Sequence, residues 1–320
     1  MQGARFLITG NVMESNSQHG LLVFGTNGAL VYNNRFVDNG KEKKKDSIPR
    51  GKELGRQGHH VFIWGCGGCT NDVTIIANEM KNVWADAIAN GTFDNPDGIT
   101  MRIQVVGNDI AGCCRNGLSI SGSYSPSNTR TFVDVRDNKI TNTSGNAIDV
   151  LAAYSLVLRK ISDAKLFMNI VRNTIDGCDC GINAVCAYDP EARGSEVTCN
   201  IIQNNISNAR RYGIRGIGGL SYDGWAVENA LFNLTISDNI ISKTKKESIF
   251  VQGGNDRKKA TVKNNQVFVH ISRNNATDSG KPLDPRSIVI NNGIRSNNVS
   301  VIQGSQGHTR KGGIVKYDDP

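Results

Sequence analysis

Three short phrases place a polar side chain directly after an isoleucine. They read NAIDV (146–150), CGINAV (180–185) and YGIRGI (212–217), and the residues in question are Asp149, Asn183 and Arg215. A carboxylate, an amide and a guanidinium at one site suit an acidic sugar. An Arg abstracts the proton beside a uronate carboxylate or neutralises that carboxylate, and an Asp serves as acid, base or calcium ligand. The segments that follow, AVCAYDPEARGSE (184–196) and GIGGLSYDGWAVEN (216–229), add Tyr188, Asp189, Arg193, Tyr222, Asp223 and Trp225. The entrance segment NARRYG (208–213) adds Arg210, Arg211 and Tyr212. The catalytic candidates are therefore Asp149, Arg215, Arg211, Asp189 and Asp223. Asn183, Tyr188, Arg193, Tyr212, Tyr222 and Trp225 are the candidate substrate contacts, with aromatic rings flanking a polar groove. Calcium is the cofactor this set would take, and no residue is assigned as a metal ligand. The bland alternative is a solvated sheet face carrying ordinary surface charge.

These residues need a scaffold that repeats. Aligning on the pattern x-x-Asn-x-Ile/Val/Met gives Asn11, Asn34, Asn78, Asn108, Asn138, Asn173, Asn204, Asn239, Asn264 and Asn297, ten copies over most of the chain. After many of them comes a second signature, a small residue followed by alternating apolar positions: HGLLV (19–23), NGLSI (116–120), NAIDV, CGINAV and YGIRGI. Each repeat thus holds three short strands and three turns, and no repeat can bury its apolar face alone. An Asn at one corner tolerates left-handed backbone and hydrogen-bonds the next Asn along a stack, and a Gly supplies the turn into the following strand. The fold expected is all-β: a single-stranded right-handed parallel β-helix of about ten coils with an Asn ladder. It would form one domain over 1–320, with a basic loop insertion at 39–57 and a polar tail at 304–320.

Composition agrees. Gly and Asn are abundant, Pro is scarce at 7 residues, and the net charge is +8. The segment 40–56 holds seven of the 37 basic residues, so part of the excess belongs to one loop. A basic surface suits an acidic polysaccharide; nucleic acid is the weaker partner because no nucleic-acid module is present. No apolar run is long enough to span a membrane, and the N-terminus shows no signal-peptide pattern. HHVFIWGCGGC (59–69) offers one Cys-x-x-Cys with two His, short of the usual zinc pattern, and the other cysteines read as free thiols stacked in the core.

VRDNKITNTSGNAIDV (135–150) and CRNGLSISGS (114–123) resemble segments of the pectate-lyase-like superfamily of right-handed β-helices. The resemblance implies a site on the face of the strand after the Gly, with loops as walls. Its outward positions would be Leu22, His60 or Phe62, Ala89, Ser119, Asp149, Asn183, Arg215 and Phe250. FDNPDGI (93–99) resembles a polygalacturonase stretch, but Cys113 and Cys114 fall where that family has an Asp pair and no Gly-His-Gly follows in place, so only Asp97 matches. The function implied is an enzyme acting on, or a protein binding, an acidic polysaccharide, as lyase, hydrolase or epimerase. The rival is a non-catalytic structural or adhesive β-helix, such as a virion or cell-surface component, which would often be a homotrimer. Either role places the chain outside the cell, on its surface or on a virion.

Overall fold

Apolar and polar residues alternate along each strand, so one face of every strand turns inward and must be covered by its neighbours. The computed structural model describes residues 5–40, 58–65, 70–91, 98–123, 128–154, 161–188, 192–221, 226–253, 255–256, 261–263, 265–278, 288–291, 298–303 and 315–316. They form a parallel β-solenoid. Coil 4 shows the plan: a first strand Thr100–Val106, a second strand Asp109–Cys113 and a third strand Leu118–Ser123. The first strand pairs in parallel with Arg130–Arg136 of the next coil, from Thr100 opposite Arg130 to Val106 opposite Arg136. Repetition builds a first sheet of ten strands, a second of nine and a third of twelve. A fourth sheet of four strands lies in the return segments of coils 5 to 8. Among the described pairs only Ile288–Asn291 with Val315–Lys316 is antiparallel. The enlarged second coil carries its extra residues between Arg35–Val37 and Val61–Trp64; the basic stretch 41–57 lies outside the described residues.

Register stacks like on like. Inward residues of the second sheet form the column Phe36, Met80, Ile110, Ile140, Ile175, Ile206 and Ile241, all fully buried. Each fully buried aliphatic side chain contributes about 1.5–3 kcal/mol before entropy is subtracted. One hydrophobic cluster runs from Val23 to Ile271. Cys113, Cys178, Cys180, Cys186 and Cys199 are buried free thiols, whereas Cys114 is exposed.

The asparagine ladder is present and runs Asn11, Asn34, Asn78, Asn108, Asn138, Asn173, Asn204, Asn239, Asn274. Each backbone N–H donates to the Oδ1 of the next coil's Asn at 2.9–3.0 Å. Each Nδ2 up to Asn239 donates to the same oxygen and to one or two carbonyls as well; for Asn11 the carbonyl is Thr9 O at 3.0 Å, and for Asn138 they are Arg136 O at 3.0 Å and Val105 O at 2.8 Å. Three expectations need correction here. The ninth rung is Asn274, not Asn264; Ala276 stands two residues after it, where the search required Ile, Val or Met, and so hid it. Asn264 and Asn297 lie outside the described residues. Second, the ladder Asn is not the left-handed residue. The residue before it is: Gly10, Asn33, Ala77, Gly107, Asp137, Arg172, Gln203, Asp238 and Arg273 all have φ between 51° and 69°. Third, the small residues before the third strand are not chosen for backbone freedom. A Cβ on Gly181 would lie 2.5 Å from Gly213 O and 2.5 Å from Ile206 Cγ2, so only a missing side chain lets the coils close.

Asn138→Ala should lower stability by about 2–4 kcal/mol, because it strips buried partners from the Asn108 backbone and amide. Chemical denaturation measures this; an unchanged midpoint would remove the ladder from its structural role.

Candidate functional site

The third sheet forms the expected outer column. Leu22, Phe62, Ala89, Ser119, Asp149, Asn183, Arg215 and Phe250 are register partners from coil to coil. Phe62, rather than His60, occupies the coil 2 position; His60 points the other way, with Nδ1 at 3.0 Å from Asn39 Nδ2 and Nε2 at 3.0 Å from Lys81 O. Asp149, Asn183 and Arg215 do converge. Asn183 Nδ2 donates to Asp149 Oδ1 at 2.7 Å, and Arg215 donates to Asn183 Oδ1 at 3.2 Å.

The face is nevertheless not an open cleft. Asn183 is 6 % exposed and Phe62 8 %. The cause lies three residues upstream, where the last turn folds a side chain back over the sheet. Asn146 donates to Asp149 Oδ1 at 2.9 Å, His59 stacks on Phe62 with 5.1 Å between ring centroids, and Tyr212 stacks on Phe250 at 5.1 Å. This row also makes a second, shorter ladder that runs in the opposite sense. Asn146 N–H donates to Asn116 Oδ1 at 2.9 Å, and Asn116 N–H donates to Asp86 Oδ1 at 2.8 Å. Asp86 Oδ2 stands 3.6 Å from His59 Nδ1. A polar chain thus runs from Arg215 to His59 across coils 7 to 2. Its signal in the sequence was the residue before each small residue of the second signature. It was hidden because that residue is not of one type along the stack.

Burial sets the electrostatics of this chain. It raises the pKa of Asp149 above the ordinary carboxylate value, against the pull of the Asn183 and Asn146 amides, and the nearby Asp86 adds to the rise. Burial likewise raises Asp86, opposed by Arg115 and Asn116. His59 is pushed down to about 3, first by burial and then by His19 and Arg115, so its ring is neutral. Asp149 Oδ1 thus accepts two amide donors, from Asn146 and from Asn183.

The exposed chemistry lies one coil on. Tyr212 is buried, at 9 % exposure, and three cations surround its ring: the Arg211 and Arg215 guanidiniums at 5.6 and 5.9 Å and the Lys246 ammonium at 5.4 Å. Arg211 also pairs with Asp179 at 3.5 Å. Tyr212 is therefore a platform for cations and Phe250, not the open stacking surface expected for a sugar. Lys246 had no place among the sequence candidates; its signal was the KTKKE run at 243–247. Arg193 belongs to the fourth sheet, where it pairs with Glu228 at 3.8 Å, and no described contact joins it to the Asp149 chain. Tyr188 ends the strand Ile182–Tyr188 opposite Leu220. Asp189, Tyr222, Asp223 and Trp225 lie outside the described residues, as do Cys66, Cys69 and Asp97. Among the described residues no group of three or more His, Cys, Asp or Glu side chains is placed to hold a metal, and no helix is long and apolar enough to cross a membrane.

No family model matches the chain, and no curated protein matches it. Among solved structures it is similar to the crystal structure of PfbA, a surface adhesin of Streptococcus pneumoniae, at 13% identity and a TM-score of 0.43. The match covers 95% of this chain and 64% of that one, so this chain spans less than two thirds of its length.

Asp149→Asn should stabilise the fold at neutral pH. The folded state raises this carboxyl's pKa above the ordinary 3.8, so the stability it contributes is present below that value and lost as pH rises through the folded pKa. The amide keeps an acceptor for Asn183 and Asn146 and carries no charge. Melting temperatures of the two proteins should differ at pH 7 and converge towards pH 3. A variant less stable than wild type at pH 7 would contradict this account.

Proposed function

We propose that the chain is a non-catalytic adhesive or structural β-solenoid that holds an acidic polysaccharide against coils 7 and 8. The observation that carries this reading is the set of three cations, Arg211, Arg215 and Lys246, gathered over one buried tyrosine beside a Phe250 that is half-buried. Cations held over an aromatic face keep their positive charge and their outward donors for a carboxylate or sulfate. Asp149, the carboxylate best placed to assist chemistry, is tied down by Asn146 and Asn183. An anion-binding array without a free acid or base suits recognition better than bond cleavage. The net charge of +8 agrees with an anionic partner. Such a protein would work outside the cell or on its surface.

The test uses polygalacturonate, alginate, chondroitin sulfate and glucuronan. Wild type should bind at least one of them, and binding should weaken as salt is raised. An Arg211→Ala/Lys246→Ala variant should bind about a hundredfold or more weakly, since each of the two lost charged contacts is worth about 1.5–3 kcal/mol. Absorbance at ~235 nm, where lyase products with a conjugated unsaturated uronide absorb, should stay flat. A rise abolished by Asp149→Ala would sink the non-catalytic reading, and no binding by wild type would sink the polysaccharide one.

A further inference from the structure

A second trough lies on the outer face of the first sheet, away from the residues considered so far. Two outward positions per strand, two residues apart, make two parallel columns. One holds Arg102, Phe132, Phe167 and Thr198; the other holds Gln104, Asp134, Asn169 and Asn200. Along a strand the columns stand about 6.6–7 Å apart, and coils repeat at about 4.8 Å, so the space between them is a channel along the solenoid axis. It opens as a cavity of about 290 Å³ lined by both columns.

The two walls differ in chemistry. Phe132 and Phe167 stack with 5.2 Å between ring centroids and 11° between planes, and Arg102 caps Phe132 at 5.7 Å. Phe132 stays 37 % exposed, so ring edges form an apolar wall. The opposite wall is an amide pair. Asn200 Nδ2 donates to Asn169 Oδ1 at 2.9 Å; both residues line the cavity, and this bond leaves the Asn169 Nδ2 as a donor and the Asn200 Oδ1 as an acceptor for a ligand. The charged groups are already matched: Arg102 pairs with Asp72 at 3.6 Å, and Asp134 with Arg136 at 3.2 Å.

We propose that this channel binds a neutral glycan strand lying along the solenoid axis, its hydroxyl edge on the Asn169–Asn200 amide pair and its apolar edge on Phe132 and Phe167. A channel whose charges are internally paired gives no reward to an anion. Alternating donor and acceptor at coil spacing suits hydroxyls, which both donate and accept. The apolar ring edges suit the C–H faces of a sugar. The ligand class and the face both differ from those of the Tyr212 cluster, so the two sites can fail independently.

Titration calorimetry with cellohexaose, mannohexaose and laminarihexaose tests this on the full chain. At least one should bind wild type. Asn169→Ala/Asn200→Ala should weaken that binding about tenfold, the effect of losing two neutral hydrogen bonds, with an unchanged melting temperature. The same variant should keep its affinity for acidic polysaccharide, and Arg211→Ala/Lys246→Ala should keep its affinity for the hexaose. No binding of any hexaose at millimolar concentration would overturn the proposal, as would equal binding by wild type and the amide variant. Sedimentation showing a self-associated wild type that Asn200→Arg converts to monomer would also overturn it, because a second copy would then occupy the channel.

Discussion

One buried corner governs this molecule. Where the first strand bends into the second, a left-handed residue turns the chain, and the next backbone N–H is directed along the stack at a residue with almost no access to water. A buried donor without a partner costs about 1–3 kcal/mol. The Asn of the following coil supplies the acceptor, and its own amide donates to carbonyls of its own coil and of the coil before it. Because each Asn can serve only a neighbour in register, the ladder fixes where every coil sits on the last. The stacking of Ile on Ile in the second sheet follows from that. So does the confinement of extra residues to turns, as in the second coil between Arg35–Val37 and Val61–Trp64.

The ladder also explains the tolerance of awkward residues just before it. Ala77, Arg172, Gln203 and Arg273 adopt left-handed backbone, at roughly 1–2 kcal/mol each relative to right-handed geometry. The several hydrogen bonds made by the adjacent Asn outweigh that cost. Two of these residues find further support: Arg172 forms a forked pair with Asp137, and Arg273 with Asp238, each across one coil. These pairs are exposed and worth little alone. They show that a position fixed by backbone shape still leaves its side chain free to link coils.

How much of this was legible in the sequence depended on whether a column repeats a residue or only a role. The first ladder repeats Asn, so strands, coil boundaries and the parallel stack could be read from spacing. The outer column of the third sheet could be read by the same arithmetic, and Asp149, Asn183 and Arg215 do meet. What spacing could not show was the roof over them. The residues folded back on that face are His59, Asp86, Asn116, Asn146 and Tyr212, five positions of four types. They share a place in the turn, not a chemistry, and a search for identity passes over them. The same holds for the channel on the first sheet, where Phe132 meets Phe167 but Arg102 and Thr198 flank them. A ligand surface assembled from different residues on successive coils leaves no periodic mark, although a periodic scaffold builds it.

A solenoid presents ligand surfaces under a constraint that compact domains lack. Each coil touches only its neighbours, so a substitution acts locally and a surface property can change from coil to coil without disturbing the core. Here the outer column of the third sheet passes from aromatic at Phe62, through small residues at Ala89 and Ser119, to a locked polar chain at Asp149 and Asn183. It ends in cations around Tyr212. The core beneath it stays aliphatic throughout. A long polymer laid along such an axis meets subsites at a fixed spacing, and modest contacts at successive coils add because the chain that joins them has already lost its freedom. Affinity for a polymer, rather than for a single sugar ring, is what this geometry rewards. A cationic face on the third sheet and a charge-paired face on the first would suit two different polymers, and the asparagine ladder keeps those faces in register.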